Sequence, residues 1–561
     1  MTAVRIRFER PIAFWAGAAA CTAGVLLHLP MYYDARGMGY QMAGMRPDGA
    51  MLAGMLLIVL GLAAALYGIV PHRATSISER ASLVRVRALD DAPIRWRHVA
   101  MLTVLAIAIT IDAMKPITLS FVAPGMAKEY GLKSPLNPLG HLPVSWLPLA
   151  GIGGTVVGSW LWGWLGDRIG RRASILFAAL LFMTTSICGA MPGFSWNLLM
   201  CFLMGIGVGG MLPIAFTLIA ETVPARHRGW LMILIGGNAA AAYALTSWLA
   251  AALVPHYSWR ILWLIGLPTG LVLIVLNHWI PESARYLIAT GQRSAAAQVL
   301  VRYGAGLLTE DEAPEARPGE QPAAEQPAGE RPAGTREGFR GLFTGPLLGP
   351  SLAITILAAG TGLVTFGFQL WIPTNLQHLG FTAVNSDYTV RNAALIGLPF
   401  IVVVALLYGF WSTRKTITLL GALTATALLW FALAGNSLAH QHALLTGLLV
   451  IPLSGTGAVV AVLSAYATEI YPTGIRSRGT GHAAAMTKAG GVLIIAVVVA
   501  AAAIPSIATT ALVSLIPLVI GTIVFAWRCP ETIRRPLDSI GDGEVSVGAI
   551  SADGSAEAAT R

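Results

Sequence analysis

The chain has 561 residues, of which 55% are hydrophobic and only 11% are charged, and it carries a formal net charge of +10. A mean hydropathy of +0.68 excludes a soluble protein, because that much apolar surface cannot be buried in a globular core. The positive charge does not form a basic stripe interleaved with aromatic residues, so we expect no nucleic-acid partner.

Uncharged stretches of about 20 residues, the length that crosses about 30 Å of hydrocarbon, recur along the chain. An isolated segment in lipid can pair its backbone polar groups only as a helix, so each stretch predicts a membrane-spanning helix. The chain is therefore predicted to be an all-α membrane protein with about 14 spans. They lie near residues 11–30, 51–70, 99–124, 143–165, 173–192, 196–220, 231–254, 259–280, 347–372, 392–413, 416–434, 443–467, 482–504 and 507–527.

Residues 1–97 are predicted to form an N-terminal extension of two helices followed by a basic segment. The apolar run after Arg10 is as long as a full span, and no small-residue cleavage site precedes polar sequence. We therefore interpret this run as a retained helix rather than a signal peptide.

Asp112, Lys115 and Lys488 are the only acidic or basic residues well inside the predicted spans. A charge at the centre of a membrane helix costs about 2.5–3.5 kcal/mol, so such residues normally face a cavity. Asp112 and Lys115 are three residues apart and can pair on one helix face, which leaves Lys488 as an unbalanced cation. Our hypothesis is that Lys488 and Lys115 bind an organic anion while Asp112 exchanges protons; a structural ion pair with a snorkelling lysine is the alternative.

The segment GWLGDRIGRR at 163–172 follows a predicted span and concentrates charge in a very short loop. It resembles the loop signature of the major facilitator superfamily, G-x-L-x-D-R-x-G-R-R. The resemblance implies a fold of two pseudo-symmetric six-helix bundles, to which this chain adds its two N-terminal helices. It also implies a cytoplasmic gate that includes Gly163, Asp167, Arg168, Gly170, Arg171 and Arg172.

Three patterns of the first part return in the second part at a nearly constant separation. LWGW at 161–164 returns as LYGF at 407–410, and PES at 281–283 returns as PET at 530–532. The third pair is Glu221, Pro224, Arg228 and Gly229 with Glu469, Pro472, Arg476 and Gly479. Such a duplication is typical of transporters whose substrate site lies between two related halves.

The repeated carboxylates and arginines lie at predicted helix ends, where they can exchange salt bridges with the basic loops when the halves close. The predicted gate therefore also contains Glu221, Arg228, Glu282, Arg285, Arg414, Glu469 and Arg476. After Gly409 the second loop keeps Arg414 and Lys415 but has no acidic residue, so gating is expected to be asymmetric. Exposed ion pairs contribute only about 0–1 kcal/mol each, so several must act together.

The domains predicted after the extension are an N-terminal bundle at 98–288, a cytoplasmic central loop at 289–346, a C-terminal bundle at 347–530 and a tail at 531–561. The Pro-, Glu- and Ala-rich tract 309–337 is predicted to be disordered, because it has almost nothing to bury. Most of the 37 Lys and Arg fall in the loops that are cytoplasmic if both termini are cytoplasmic. We expect a monomer in the plasma (inner) membrane.

Two stretches refine the resemblance within the family. IDAMKPITLSFVAPGM at 111–126 and WIPTNLQHLGF at 371–381 resemble the first and seventh core helices of proton-coupled aromatic-acid and metabolite porters. Those relatives often carry D-G-x-D, whereas here Ala113 and Lys115 follow Asp112. PESARYL at 281–287 resembles the sugar-porter branch, yet few amides are available to bind sugar hydroxyls. Polar side chains that can line the cavity are Asn238, Tyr243, Gln369, Trp371, Asn375 and His482.

The sequence therefore predicts a secondary transporter that moves an organic or aromatic acid anion with protons by alternating access. A uniporter or exporter of the same fold and a non-transporting membrane sensor are the alternatives. No Walker loop and no H-E-x-x-H occurs in the sequence, so an enzyme is not expected. The four cysteines show no paired spacing, and we expect no disulfide, metal or cofactor.

Overall fold

The computed structural model of the protein describes residues 10–70, 92–134, 137–304, 339–434, 441–471, 476–500 and 506–533. Within these ranges, the side chains at 163, 164, 167, 225, 239, 285, 289, 339, 340, 476 and 477 are not described. The predicted disordered tract 309–337 and most of the C-terminal tail lie outside the described residues.

Thirteen helices in the described ranges are long and apolar enough to cross a bilayer. The 24-residue helix Trp146–Ile169 is not one of the thirteen and lies between the third and the fourth of them. We number these membrane-length helices α1–α14 in chain order. They are α1 Pro11–Met38, α2 Gly49–Ile69, α3 Trp96–Glu129, α4 Trp146–Ile169, α5 Arg171–Ala190, α6 Phe194–Thr222, α7 Arg226–Tyr257, α8 Ile261–Trp279, α9 Gly345–His378, α10 Ala383–Trp411, α11 Thr413–Ala434, α12 His442–Ile470, α13 Arg478–Ala500 and α14 Ile507–Arg528.

The predicted all-α membrane fold is confirmed, and each predicted span corresponds to one of α1–α14. Two short helices, Ala284–Ala289 and Arg293–Arg302, follow α8. We call α3–α8 the N-half and α9–α14 the C-half. The gate face is the side of the molecule that carries the short connections at Gly170 and Ser412 and the chain after Trp279.

Several membrane helices are interrupted near their middle. Helix α6 breaks at Gly209, and α7 breaks at Gly237. Helix α9 passes through a π-helical turn, Val364–Phe368, and then a 3-10 turn, Gln369–Trp371. Such irregular turns free backbone groups from the regular helical pattern and are common at functional sites. In a membrane they are tolerated only where protein or water satisfies the freed groups.

The two halves pack through glycines that allow close approach. A Cβ added to Gly237 on α7 would lie 1.9 Å from the Cδ1 of Ile401 on α10, and one added to Gly236 would lie 3.0 Å from the Cβ of Ala461 on α12. A larger residue at Gly237 would therefore require the Ile401 side chain to move. This small-residue packing is how membrane helices gain van der Waals contact without a hydrophobic driving force.

The N-terminal extension is a tightly packed helix pair that lies against α5. A Cβ on Gly17 of α1 would lie 2.4 Å from the carbonyl oxygen of Gly61 on α2, and a Cβ on Gly61 would lie 2.7 Å from the carbonyl oxygen of Gly17. The pair contacts α5. In the most apolar 18-residue stretch of α5, 94% of the residues are buried, compared with 39% in that of α8. The extension therefore covers a core helix that would otherwise face lipid.

The loop between α1 and α2 is held on the end of the N-half that is opposite the gate face. The backbone N–H groups of Met42 and Ala43 donate to Oε1 of Glu129, over 2.7 and 3.1 Å. The Tyr32 hydroxyl donates to the carbonyl oxygen of Tyr257 over 2.7 Å. The extension is thus attached to the N-half both along α5 and at this end.

Candidate transport pathway and gate

In the N-half, a half-buried carboxylate caps the helix that begins at the gate loop. Oε1 of Glu282 accepts from the backbone N–H groups of Arg171, over 2.8 Å, and Ser283, over 3.0 Å. Gly170 has a φ of +93°, and a Cβ there would lie 2.6 Å from Oε2 of Glu282, so only glycine fits. A carboxylate at a helix N-terminus satisfies unpaired amides and the helix dipole. Burial raises the pKa of Glu282, and the hydrogen bonds from Ser283 and Arg171 offset this only in part.

The gate arginines of the N-half bind acceptors in their own half. The Arg171 guanidinium donates to the carbonyl oxygen of Gly166 over 2.7 Å and pairs with Glu221 over 3.3 Å. Nε of Arg172 donates to the carbonyl oxygen of Asn277 over 3.2 Å. These predicted gate residues do come together, but the described bonds lie within the N-half and not across the interface.

The C-half repeats the same helix cap with different side chains. Oε1 of Glu531 accepts from the backbone N–H of Thr413 over 2.9 Å, at the start of α11. The hydroxyl groups of Ser412 and Thr413 also donate to this carboxylate. Burial pushes the pKa of Glu531 up, but the hydrogen bonds from Ser412 and Thr413 outweigh it, and the pKa ends below its ordinary value of 4.5.

The halves meet at the gate face around Glu469. This carboxylate accepts from the Tyr408 hydroxyl over 2.9 Å and from the Thr532 hydroxyl over 2.6 Å, both in the C-half. On the N-half side, a Cβ on Gly229 would lie 3.3 Å from Oε1 of Glu469, and the charge of Arg228 acts on Glu469. Glu469 is therefore the predicted gate residue that the described geometry places against the other half, beside Gly229.

The remaining predicted gate residues take part less directly. The carbonyl oxygen of Arg168 accepts from the Tyr286 hydroxyl over 3.2 Å, and Arg414 is exposed at the start of α11. Gly163 lies in α4, at a position whose surroundings are not described. The side chains of Asp167, Arg285 and Arg476 likewise lie outside the described part of the chain.

Away from the gate, Lys488 of the C-half forms hydrogen bonds to the N-half. Its ammonium donates to the Ser159 hydroxyl over 2.6 Å and to the carbonyl oxygen of Gly209 over 2.9 Å. Asp112, on α3 of the N-half, is only 8% exposed. A cation of the C-half is thus bonded to the N-half, and the N-half also holds a buried acid within a membrane helix.

Lys115 has different partners from Lys488, and the expected contact of Lys115 with Asp112 is not the one formed. The Lys115 ammonium donates to the carbonyl oxygen of Trp263 over 3.4 Å. It also lies 4.6 Å from the ring centroid of Phe182 and 5.5 Å from that of Trp263, as cation–π contacts. Lys115 is 2% exposed and is enclosed by α5 and α8, so it lies inside the N-half and not between the halves.

The predicted lining residues Tyr243 and Gln369 connect the halves. The Tyr243 hydroxyl donates to Oε1 of Gln369 over 3.5 Å. The Gln369 amide is oriented by the carbonyl oxygen of Pro452 and the hydroxyl of Thr456, both of which accept from its Nε2. Gln369 lies in the 3-10 turn of α9, so the irregular part of this helix is where the side chain crosses the interface.

Trp371 and Asn375 are buried donors with no hydrogen-bond partner in the described residues. Trp371 is 1% exposed and Asn375 is 5% exposed, yet Nε1 of Trp371 and Nδ2 of Asn375 are unpaired. A buried unpaired donor costs about 1–3 kcal/mol, and an acceptor on a bound ligand would remove that cost. The segment that carries both, Ile372–His378 with Trp371 before it, packs against α3 of the N-half.

Asn238 and His482 are not grouped with the other lining residues by any described contact. Asn238 lies at the break of α7. His482 bonds the Thr355 hydroxyl over 2.8 Å and packs edge-on against Phe343 at 5.3 Å between ring centroids. This contact holds His482 beside the start of α9 within the C-half.

Sequence reasoning missed three features of the buried polar network. Ser159 and the Gly209 carbonyl were not considered as partners for Lys488, although Pro213, four residues after Gly209, is a visible signal of an unpaired carbonyl. The buried pair Arg260–Glu129, at 2.6 Å, joins helix ends that are far apart in the chain. Asp387 is 8% exposed on α10, in a turn that the predicted span did not include.

No group of three or more metal-ligating His, Cys, Asp or Glu side chains occurs among the described residues. The four cysteines are buried and free.

Three comparisons identify what this architecture is similar to. Residues 101–495 match the profile described as Major Facilitator Superfamily. The niacin transporter NiaP of Acinetobacter baylyi is 28% identical over 72% of this chain and 88% of its own length. The 4-hydroxybenzoate transporter PcaK of the same organism is 25% identical over 74% of this chain and 87% of its own. The gallate transporter of Pseudomonas putida is 25% identical over 70% of this chain and 82% of its own length.

Among solved structures, the proton:xylose symporter XylE bound to 6-bromo-6-deoxy-D-glucose matches with a TM-score of 0.61 and 19% identity, over 79% of this chain and 98% of its own. XylE from E. coli in a partially occluded inward open conformation matches with a TM-score of 0.59 and 18% identity. The match covers 78% of this chain and 99% of that chain. At this identity the likeness establishes the fold. With two related halves, helices that break at the interface and a family profile over most of the core, this chain belongs to the Major Facilitator Superfamily, and it is a membrane transport protein rather than an enzyme.

Proposed function

We propose that this carrier moves a small aromatic carboxylate anion together with protons by alternating access of its two halves. The observation that carries the proposal is a pair of opposite charges in the membrane interior: Lys488 of the C-half, whose ammonium bonds Ser159 and the Gly209 carbonyl of the N-half, and Asp112, which is 8% exposed on α3 of the N-half. Charged residues at membrane depth are retained mainly for substrate or ion pathways.

The chemistry of the pair favours an anion coupled to a proton. An ammonium binds a carboxylate through charge-assisted hydrogen bonds, which are stronger than neutral ones. A proton that binds Asp112 removes the negative charge that competes with the substrate for Lys488. Proton and anion therefore favour each other's binding, which is the thermodynamic requirement for symport.

Relatives with named substrates support an aromatic acid. NiaP, PcaK and the gallate transporter are named for niacin, 4-hydroxybenzoate and gallate, and each of these compounds is a carboxylic acid on an aromatic ring. The unpaired donors Trp371 and Asn375 suit the oxygen or ring-nitrogen acceptors of such molecules. A sugar is less well matched, because few amides in these helices are available to pair with its hydroxyl groups.

We assign the gate face to the cytoplasm, since the basic loops lie on that side and the positive-inside rule retains Lys and Arg there. Opening of this face then requires Glu469 to leave Gly229 and Arg228. We assign Lys115 a structural role, because its described contacts belong to the N-half. The carrier is proposed to act as a monomer in the inner membrane.

The test is uptake into proteoliposomes of nicotinate, 4-hydroxybenzoate and gallate, with and without an imposed inward proton gradient. We expect uptake of at least one acid that rises with the gradient, and loss of that uptake in Asp112→Asn and Lys488→Ala. Gradient-independent flux identifies a uniporter, and outward-only flux identifies an exporter. Absence of flux, with binding retained, favours the sensor.

A further inference from the structure

The main-chain carbonyl of Gly209 lacks its usual partner inside α6 because of the sequence that follows it. In a helix, each carbonyl accepts from the N–H four residues later. For Gly209 that residue is Pro213, which has no N–H. The next carbonyl, Gly210, is bonded normally by the N–H of Ile214 over 3.1 Å. The Gly209 carbonyl is therefore left without a helical donor in the middle of the membrane helix.

Two donors on other helices bind this carbonyl. The Ser159 hydroxyl of α4 lies 2.9 Å from it, and the Lys488 ammonium of α13 lies 2.9 Å from it. Lys488 also donates to Ser159 over 2.6 Å. We call the Ser159 hydroxyl and the Gly209 carbonyl the lysine seat. It belongs wholly to the N-half, whereas the lysine belongs to the C-half.

The seat is held rigidly by close backbone packing. A Cβ on Gly209 would lie 2.6 Å from the carbonyl oxygen of Thr155 and 2.7 Å from the N of Ser159. Ser159 is 2% exposed, and the single proton of its hydroxyl is shared between the carbonyl oxygens of Thr155, at 2.8 Å, and Gly209, at 2.9 Å. The two acceptors therefore cannot follow Lys488 when the C-half moves.

We propose that the lysine seat is an internal competitor of the anionic substrate: it holds Lys488 when the site is empty, and the substrate carboxylate must take the ammonium from it. This inference rests on the proposed function and names Ser159 and Gly209 as positioning residues that set substrate affinity. An ammonium has three N–H donors, and two of them are committed to the seat.

The seat also acts on the conformational balance. A bond between the halves contributes free energy only in conformations where the halves approach at this point, so it shifts the equilibrium toward them. Substrate that removes Lys488 from the seat removes this contribution. Binding of the anion is thereby linked to movement of the halves, and return of Lys488 to the seat helps to expel the product.

The first test is Ser159→Ala, assayed by uptake of nicotinate and 4-hydroxybenzoate. Loss of one hydrogen bond to a charged group is expected to lower the KM about tenfold, since the substrate no longer competes with it. The kcat is expected to fall as well, because Lys488 is drawn away from the bound anion less strongly. Ser159→Thr keeps the hydroxyl and should restore both values toward those of the unsubstituted protein.

A second variant reaches the same seat through the backbone. Pro213→Ala supplies the missing N–H within α6, so the Gly209 carbonyl gains an internal donor and binds Lys488 less strongly. We expect the same direction of change in KM and kcat as in Ser159→Ala, but a smaller one. The matched control is Ser186→Ala, which removes a buried hydroxyl bonded to the carbonyl oxygen of Met183 over 2.7 Å inside the N-half and should change neither value.

A measurement without substrate keeps the inference testable if neither acid is carried. Spin labels at the exposed positions 226 and 415, one on each half at the gate face, should report a changed distance distribution in Ser159→Ala and an unchanged one in Ser186→Ala. If Ser159→Ala leaves the spin-label distance distribution unchanged and its KM is unchanged or raised, the proposed role of the lysine seat is wrong. If Lys488→Ala loses uptake in that case, the proposed function stands; if Lys488→Ala keeps uptake, the proposed function fails instead.

Discussion

Lys115 and Lys488 are both lysines in the membrane interior, but they lie in different regions and have different partners. Lys115 is enclosed by Phe182 and Trp263 of its own half. Lys488 reaches across the interface to Ser159 and Gly209. Burial alone therefore does not identify a transport residue. What distinguishes the two is whether the contacts of the charge must break when the halves move.

Matched substitution of the two lysines should give the largest contrast. Lys488→Met is expected to lower uptake of the carried acid at least about 100-fold, because the substrate loses its charge-assisted partner. Lys115→Met is expected to leave KM within about twofold, since methionine fills the same apolar space. Uptake kinetics in proteoliposomes measure both. Equal losses of uptake in the two variants would show that Lys115 also belongs to the substrate pathway.

A second contrast is between Lys115 and Arg260, a buried cation of the N-half that has an anionic partner. Arg260→Met leaves Glu129 buried without its ion pair at 2.6 Å, and should destabilise the protein by about 3–5 kcal/mol. Lys115→Met should leave stability unchanged or raised, because it removes a costly buried charge. Thermal unfolding in detergent tests this, with the exposed Lys128→Met as control.

The two helix caps allow a comparison by pH. Glu531 has a pKa below its ordinary value of 4.5, so its stabilising contribution is present above pH 4.5 and is lost as the pH falls through the lowered pKa. Glu282 has a raised pKa, so its ionisation weakens the fold as the pH rises from 4.5 through that value. Glu531→Gln should therefore lose most stability, relative to the unsubstituted protein, in the neutral range. Glu282→Gln should lose least stability, relative to the unsubstituted protein, in the same neutral range.

Thermal unfolding of both variants from acid to neutral pH measures these opposite slopes. Parallel curves for the two variants would show that the caps are electrostatically equivalent despite their different side chains.

A small effect is expected at the polar contact between Tyr243 and Gln369. At 3.5 Å the hydrogen bond is long, so Tyr243→Phe should raise KM by less than about threefold. Gln369→Leu should have a larger effect, because it removes the amide that donates to the Thr456 hydroxyl and to the carbonyl oxygen of Pro452. The Pro452 carbonyl then keeps only the Thr456 hydroxyl as a donor. Uptake kinetics of the pair would contradict this ranking if Tyr243→Phe were the more damaging change.

The membrane helices could be predicted from sequence because hydrocarbon thickness imposes a minimum length on every span. The gate loop could also be located, since its charges and glycines are contiguous in the chain. Asp387 was not recognised as a buried acid because α10 begins at Ala383, before the predicted uncharged stretch. A polar first turn at a helix end does not lower the hydropathy of the rest of the span.

Side-chain partners could not be predicted in the same way. Spacing along α3 suggested that Lys115 faces Asp112, but the orientation of Lys115 is decided by Trp263, 148 residues away in sequence. Arg260 and Glu129 are 131 residues apart. Contacts of this kind depend on how helices pack, and helix periodicity contains no information on which distant helix lies opposite. The bond between Lys488 and Gly209 was the one partly foreseeable case, because a proline leaves a carbonyl free at a known position.

The cover that the extension provides for α5 has a consequence for the order of synthesis. Helices α1 and α2 precede α5 in the chain, so they leave the ribosome and enter the bilayer first. Their glycine contacts need no partner from the rest of the protein. The helix pair is therefore available as a packing surface before α5 is inserted. Helix α5 can then exchange lipid for protein on that side as soon as it is inserted.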